Sequence, residues 1–320
     1  MKDKVMGFLG MGTMGFCMAH GLVKSGYQVV LPTYRKDIDQ ASGFSDLAAD
    51  EKTKSALYDE MLTASGQISA NMKDLIIRSD VILISMPTSR QVEALMYDKE
   101  GIIANARQGA VVIDLTSADA SSTQKLAKQL ETKGVDMLDA PVSGGNSGAA
   151  SQALTIMVGG KKEVFDKCRP IFDTIGNPEK VMYIGPSGAG DIIKSSNNFL
   201  SCCCLLATTE AVVVAVKNGI DPQTAIEVIA SSGGKSDASM RKYPKTIFPG
   251  NDFYGTLNMM LKDIGLFTQA AKDSRVPAFI ASNVYQCWNA CANTYGGESD
   301  MANVITQFEQ WCDVKLRGIS

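Results

Sequence analysis

Histidine is almost missing from this chain: His20 is the single copy in 320 residues. Eight cysteines are present, but none forms a C-x-x-C pair; Cys202, Cys203 and Cys204 are contiguous, and Cys287 and Cys291 lie four apart. Zinc centres draw on thiolate and imidazole ligands at short spacings, so no metal site is expected. The thiols are also too sparse for a disulfide scaffold, and buried thiols in a reducing cytoplasm fit better. An excess of one charge is lacking as well. Lys and Arg number 31 against 34 Asp and Glu, a formal net charge of −3, which leaves no electrostatic footprint for nucleic acid.

A clean membrane span is missing too. The apolar tract from Phe199 to Val216 is broken by Ser201, Thr208, Thr209 and Glu210, and a buried core helix explains it better. The chain enters a strand almost at once, so no signal peptide is expected and a cytoplasmic location follows. No internal repeat, low-complexity tract or flexible linker interrupts it. At 45% hydrophobic and 20% charged residues it reads as a soluble globular protein. Its length suits one large or two ordinary domains.

What is present starts with glycine. Lys4–Leu9 is an apolar run ending in Gly10-Met11-Gly12-Thr13-Met14-Gly15, and a helix-compatible segment follows to about Ser25. A G-x-G-x-x-G between strand and helix suits a pyrophosphate: the first glycine turns tightly, the second admits backbone N–H groups, and the third lets helix and strand pack closely. The next strand, Gln28–Thr33, ends without the carboxylate that would bind the ribose hydroxyls of NAD. Thr33 and Arg35, with Lys36, suit a 2′-phosphate instead, a lean towards NADP over NAD.

Further along, Val81–Ser85 runs into Met86-Pro87, and Ala110–Asp114 runs into Leu115-Thr116-Ser117. Strand ends in a parallel sheet face ligands, although Ser and Thr there also serve as helix caps. Ser143-Gly144-Gly145 offers a hydroxyl and accessible N–H groups for a carboxylate, and a plain turn before a helix would use the same residues. After Gly185 the pattern changes to helix after helix. Helical patterns cover Asp191–Asn218, Pro222–Ser231, Met259–Asp273, Ala278–Ala292 and Met301–Val314, and no convincing strand appears. Lys194 and Asn198 fall at i and i+4 of the first of these, on one face. A lone K-x-x-x-N also describes many solvated helix faces; its surroundings give it meaning.

Four ordered motifs together, GFLGMGTMG (Gly7–Gly15), DAPVSGG (Asp139–Gly145), GAGDIIKSSNN (Gly188–Asn198) and LKDIGL (Leu261–Leu266), resemble the β-hydroxyacid dehydrogenase family over nearly the whole chain. The resemblance implies an α/β fold: an N-terminal Rossmann domain over residues 1–187, then an all-α domain over 188–320 like the C-terminal half of 6-phosphogluconate dehydrogenase. The second domain would begin with a long inter-domain helix and serve substrate binding and oligomerisation. The activity implied is an NAD(P)-dependent oxidoreductase interconverting a small β-hydroxy acid and its semialdehyde, in a homodimer or homotetramer. Carried over by position, Lys194 is the general acid/base, Asn198 holds the substrate, and Ser143, Gly144 and Gly145 hold its carboxylate. The loop Gly10, Met11, Gly12, Thr13, Met14 and Gly15 cradles the pyrophosphate. Met86, Pro87, Thr116 and Ser117 line the nicotinamide side, and Lys262 reaches over to close the site.

Two segments depart from that pattern. Arg35–Asp80 is longer than the family's counterpart by about a dozen residues. Gly233–Thr256 is slightly shorter, and it carries Lys235, Ser236, Ser239, Arg241 and Tyr254 where the family faces the substrate's distal group. A substrate with a second anionic group is compatible with that composition. The competing class is a cofactor-binding interaction module of the same fold that has lost catalysis; the presence of Lys194, Asn198 and the Ser143 cradle opposes it.

Overall fold

The computed structural model describes residues 1–32, 51–64 and 66–319. They divide into two compact units, Met1–Lys194 and Ser195–Ser320. The first unit is built on one sheet of nine strands. Its strands are β1 (Val5–Leu9), β2 (Gln28–Leu31), β3 (Gly66–Ile68), β4 (Val81–Ile84), β5 (Val111–Asp114), β6 (Asp136–Asp139), β7 (Val142–Ser143), β8 (Leu154–Gly159) and β9 (Gly176–Gly185). The order is β3-β2-β1-β4-β5-β6-β8-β7, with β9 beside β8. From β3 to β6 every pairing is parallel, the doubly wound dinucleotide-binding arrangement, whose strand order reverses next to β1. β8 then runs antiparallel to β6 and β7, and β9 runs parallel to β8.

Parallel strands covered on both faces read as continuous apolar runs, and Val81-Ile82-Leu83-Ile84 is buried at every position. Successive side chains point to opposite faces, so the strands feed two cores. Met6, Phe8, Val29, Leu31, Val81 and Leu83 enter one; Leu9, Val30, Ile82, Ile84 and Val112 enter the other. The first core is covered by α1 (Thr13–Lys24), α2 (Glu51–Ala64) through Tyr58 and Met61, and α8 (Lys162–Ile175). The second is covered by α3 (Met72–Arg78), α4 (Ser89–Tyr97), α5 (Ile102–Asn105) and α6 (Ala120–Glu131). The short α7 (Gly145–Ala150) follows β7.

The second unit contains only helices among its described elements: most of α9 (Ala189–Lys217), α10 (Pro222–Ser231), a π-helical segment (Ala238–Ile247), α11 (Leu257–Asp273), α12 (Phe279–Tyr295) and α13 (Asn303–Cys312). Among the described helices α9 is the one long and apolar enough to cross a membrane. Its Cys202, Leu205, Leu206, Val212 and Val213 are nevertheless buried in the core of this unit, with Trp288 and Tyr243. Tyr243 also donates its hydroxyl hydrogen to Thr209 on α9, at 2.9 Å. Asp221 caps α10 by accepting from the Thr224 N–H, with Pro222 in the first turn, as an N-cap followed by proline predicts.

Sequence pattern does not single out several short elements, β3, β7, α3, α4 and α5 among them, nor the π-helical segment. β3 is a short edge strand inside a polar stretch, too brief to show alternation. The π-helical segment contains Pro244, which lacks an N–H and interrupts the ordinary helical ladder. The other helices expected beyond Gly185 are present, with ends shifted by up to three residues.

Candidate active site

The glycine loop leaves β1 and enters α1 under tight steric control. Gly10 has φ +95°, and a Cβ there would collide with the Ser85 carbonyl oxygen. A Cβ on Gly15 would collide with the Gly10 carbonyl oxygen, so helix and loop pack at backbone contact. Gly12 is different: a Cβ on it would meet nothing within 4 Å. It is the N-cap of α1 and makes no side-chain cap hydrogen bond. The first turn of α1 therefore presents N–H groups and the positive end of a helix dipole to open space, a fit for a pyrophosphate. Met11 and Met14 pack against the sheet core, so within the loop they act as anchors.

The polar ends of β4 and β5 are tied together. Thr116 is buried, and its hydroxyl accepts the Met86 N–H at 3.0 Å. The Thr116 N–H in turn donates to Asp114 Oδ1 at 3.0 Å. Thr116 thus positions the Met86-Pro87 turn, while Ser117 is only half-buried and Pro87 is exposed. Met86 also lies beside Gly10, its Cε 3.3 Å from where a Cβ would stand. Thr33 and Arg35, the residues expected to select NADP, lie outside the described residues.

Ser143 closes β7, opposite Thr155 of β8. Gly144 and Gly145 follow with φ +141° and +63°, conformations that other residues rarely adopt. Both are exposed, so their backbone N–H groups remain accessible to a carboxylate.

Sequence reading assigns no part to the aspartates that fix the start of α9, although one lies in the DAPVSGG motif. Asp139 is buried at the end of β6 and accepts N–H groups from Gly188 at 2.8 Å, Gly190 at 2.8 Å and Asp191 at 3.2 Å. One carboxylate therefore anchors the first turn of the helix that carries Lys194. Gly190 is required there, because a Cβ would strike the Met157 carbonyl oxygen. Asp191, also buried, accepts from the Ala118 N–H at 3.2 Å and the Thr123 hydroxyl at 2.7 Å.

These carboxylates crowd one another. Burial, and then the charges of Asp139 and Asp114, raise Asp191 well above the usual carboxylate range. Burial also raises Asp139 and pushes Asp114 up to about 7. The folded state thus holds the Asp114 proton to a higher pH than the unfolded chain does. Its contribution to stability is full below the ordinary value of 3.8 and is lost as pH rises through about 7. Asp114→Asn keeps the acceptor for Thr116 and removes the titration. Thermal melts of this variant are expected to lose part of the wild-type decline in Tm between pH 5 and 8, a span worth up to about 3 kcal/mol. Parallel curves for the two proteins would contradict this account.

Lys194 is 8% exposed on α9, one turn before Asn198 on the same face. Asn198 donates through Nδ2 to Asp263 Oδ2 at 2.6 Å. Asp263 is buried on α11, and its Oδ1 lies 2.9 Å from Lys262 Nζ. The aspartate of the LKD motif therefore orients the Asn198 amide, and Lys262 balances its charge. The pattern of the motif displays Asp263, but its function emerges only from this contact. Among the described residues no cluster of three or more His, Cys, Asp or Glu could hold a metal ion.

Comparison with known proteins matches both halves of the chain. Residues 5–185 match the family described as the NAD binding domain of 6-phosphogluconate dehydrogenase. Residues 188–308 match that described as NAD-binding of NADP-dependent 3-hydroxyisobutyrate dehydrogenase. The chain is 36% identical over 319 residues to 2-(hydroxymethyl)glutarate dehydrogenase of Eubacterium barkeri, covering 99% of each. It is 29% identical to 2-hydroxy-3-oxopropionate reductase of Escherichia coli, over 97% of this chain and 99% of that one. The solved structure of Mycobacterium tuberculosis 3-hydroxyisobutyrate dehydrogenase with L-serine matches with a TM-score of 0.79 at 25% identity, covering 95% of this chain and 98% of that one.

Proposed function

This chain belongs to the β-hydroxyacid dehydrogenase family, with a nicotinamide cofactor, and we propose that it interconverts a small β-hydroxy acid and its semialdehyde using Lys194 as general acid/base. The observation that carries the reading is the pairing on α9 of a buried lysine with an asparagine already oriented by Asp263. A module that had lost catalysis would have no use for that arrangement.

When bound, the nicotinamide cofactor would supply the hydride for reduction of the aldehyde, or accept it in oxidation of the alcohol. Gly10–Gly15 and the start of α1 would hold its pyrophosphate, and the Met86-Pro87 and Thr116-Ser117 turns would border the nicotinamide side. Ser143, Gly144 and Gly145 clamp the substrate carboxylate, and Asn198 holds the substrate beside Lys194. Lys194 Nζ takes the hydroxyl proton during oxidation and returns it to the carbonyl oxygen during reduction. Orientation by the clamp supplies several kcal/mol of the barrier lowering. We assign Lys262, paired with Asp263, to cofactor binding. We assign residues 1–187 to cofactor binding and 188–320 to substrate binding and oligomerisation, in a cytoplasmic homodimer or homotetramer. Exposed Leu200 and Val214 on α9 favour an association through that helix.

The lean towards NADP rests on Thr33 and Arg35 and on the absence of a carboxylate at that strand end; the description of the second matching family also names NADP. The test is a spectrophotometric screen with NADH and NADPH against methylmalonate, tartronate and succinate semialdehydes. Turnover with one or more is expected, and Arg35→Ala is expected to weaken NADPH about tenfold more than NADH. Equal weakening of both cofactors removes the case for NADP. Tight cofactor binding with no turnover on any β-hydroxy acid or semialdehyde removes the case for the reaction.

A further inference from the structure

An ammonium group buried away from any carboxylate is costly, and the helical unit contains one. Lys242, on the π-helical segment, is 8% exposed. Its Nζ donates to Ser201 Oγ at 2.7 Å and to the Ser201 carbonyl oxygen at 3.3 Å, and to no acid among the described residues. The carboxylates in its neighbourhood are engaged elsewhere. Asp237 forms a two-pronged pair with Arg241, at 2.7 and 2.9 Å. Asp263 is held by Asn198 and Lys262. The neighbouring Cys202 thiol is pushed up to about 12 by burial and stays neutral.

The position of this cation is informative. Ser201 lies seven residues after Lys194 and three after Asn198, so all three stand along one stripe of α9. From Asn198 to Ser201 the helix rises by about 4.5 Å, the span of a short carbon chain. Ser201 is partly exposed, so the stripe remains open where Lys242 meets it. A carboxylate arriving there would accept from the ammonium and from the serine hydroxyl together, which completes a pair the protein leaves incomplete.

We propose that Lys242, with the Ser201 hydroxyl, binds a second carboxylate at the far end of the substrate, making the substrate class a dicarboxylic β-hydroxy acid or its semialdehyde. This rests on the dehydrogenase reading above. A substrate lacking the second carboxylate leaves the ammonium unpaired, so discrimination arises from a penalty on the wrong substrate as well as a gain on the right one.

The test compares the full-length protein with Lys242→Met, which has similar bulk and no charge, and Lys242→Arg. Oxidation of 2-(hydroxymethyl)glutarate is measured against oxidation of the monoacid 3-hydroxyisobutyrate. Binding of unreactive glutarate in the presence of oxidised cofactor is followed by calorimetry. Lys242→Met is expected to lose about 30-fold in kcat/KM on the diacid, mainly through KM. The loss on the monoacid is expected to be at least about tenfold smaller, with partial recovery in Lys242→Arg and a Tm no lower than wild type. Equal losses on both acids with a lowered Tm would make Lys242 a structural tie between α9 and the π-helical segment and overturn the proposal. Equal glutarate affinity in wild type and Lys242→Met would overturn it too. If neither acid reacts while glutarate binding still depends on Lys242, the anion site stands and the dehydrogenase reading fails instead.

Discussion

Lys194→Ala is expected to lower kcat by about 10³-fold or more, with affinity for the nicotinamide cofactor within about twofold of wild type. The reason lies in where the two functions sit. Cofactor binding is assigned to Gly10–Gly15 and the first turn of α1, where Gly10 is fixed by contact with Ser85 and Gly15 by contact with Gly10. The proton is assigned to α9. Thermal melts of the variant would separate lost turnover from unfolding. Steady-state kinetics with cofactor titrations would check this. A loss of cofactor affinity as large as the loss of turnover would show that Lys194 serves binding and that the proton moves elsewhere.

A comparably large effect is expected from a residue that touches no reacting atom. Asp139→Ala removes the acceptor of three backbone N–H groups at the start of α9 and leaves them buried without partners. Each buried, unsatisfied group costs about 1–3 kcal/mol. Relief of Asp191, which the Asp139 charge disfavours, offsets part of that. A fall in Tm of roughly 5–10 °C is expected. Turnover should fall at least tenfold with KM less affected, because Lys194 follows that turn directly. Asp139→Asn, which keeps an acceptor, should recover part of both losses. Full activity in Asp139→Ala would show that this anchor does not set the position of Lys194.

The sequence alone determined much of this protein. The alternation of apolar runs and helical patterns, followed by helix after helix, marked the two-part organisation, and the resemblance carried by four motifs implied a Rossmann domain followed by an all-α one. These signals are local: strand hydrophobicity, glycines that fix a turn, and i, i+4 spacing survive without any knowledge of distant contacts. Gly10, Gly12 and Gly15 were legible because their spacing falls within six residues, although the contact that requires Gly10 is with distant Ser85. Lys194 and Asn198 were legible because one helix carries both.

Tertiary structure alone decided the rest. β3 and the π-helical segment were hidden, one by brevity and the other by Pro244. Thr116 serves as a tie for Met86, which no spacing in the chain encodes. Asp139 reaches Gly188, Gly190 and Asp191 across about fifty residues of sequence, and Asp263 reaches Asn198 across 65. A buried charge takes its meaning from what stands beside it, and sequence separation does not report that. Lys242 shows this most plainly: in sequence it is one lysine in a polar stretch, and in the fold it is an ammonium with no carboxylate partner among the described residues, meeting α9 two turns beyond Lys194.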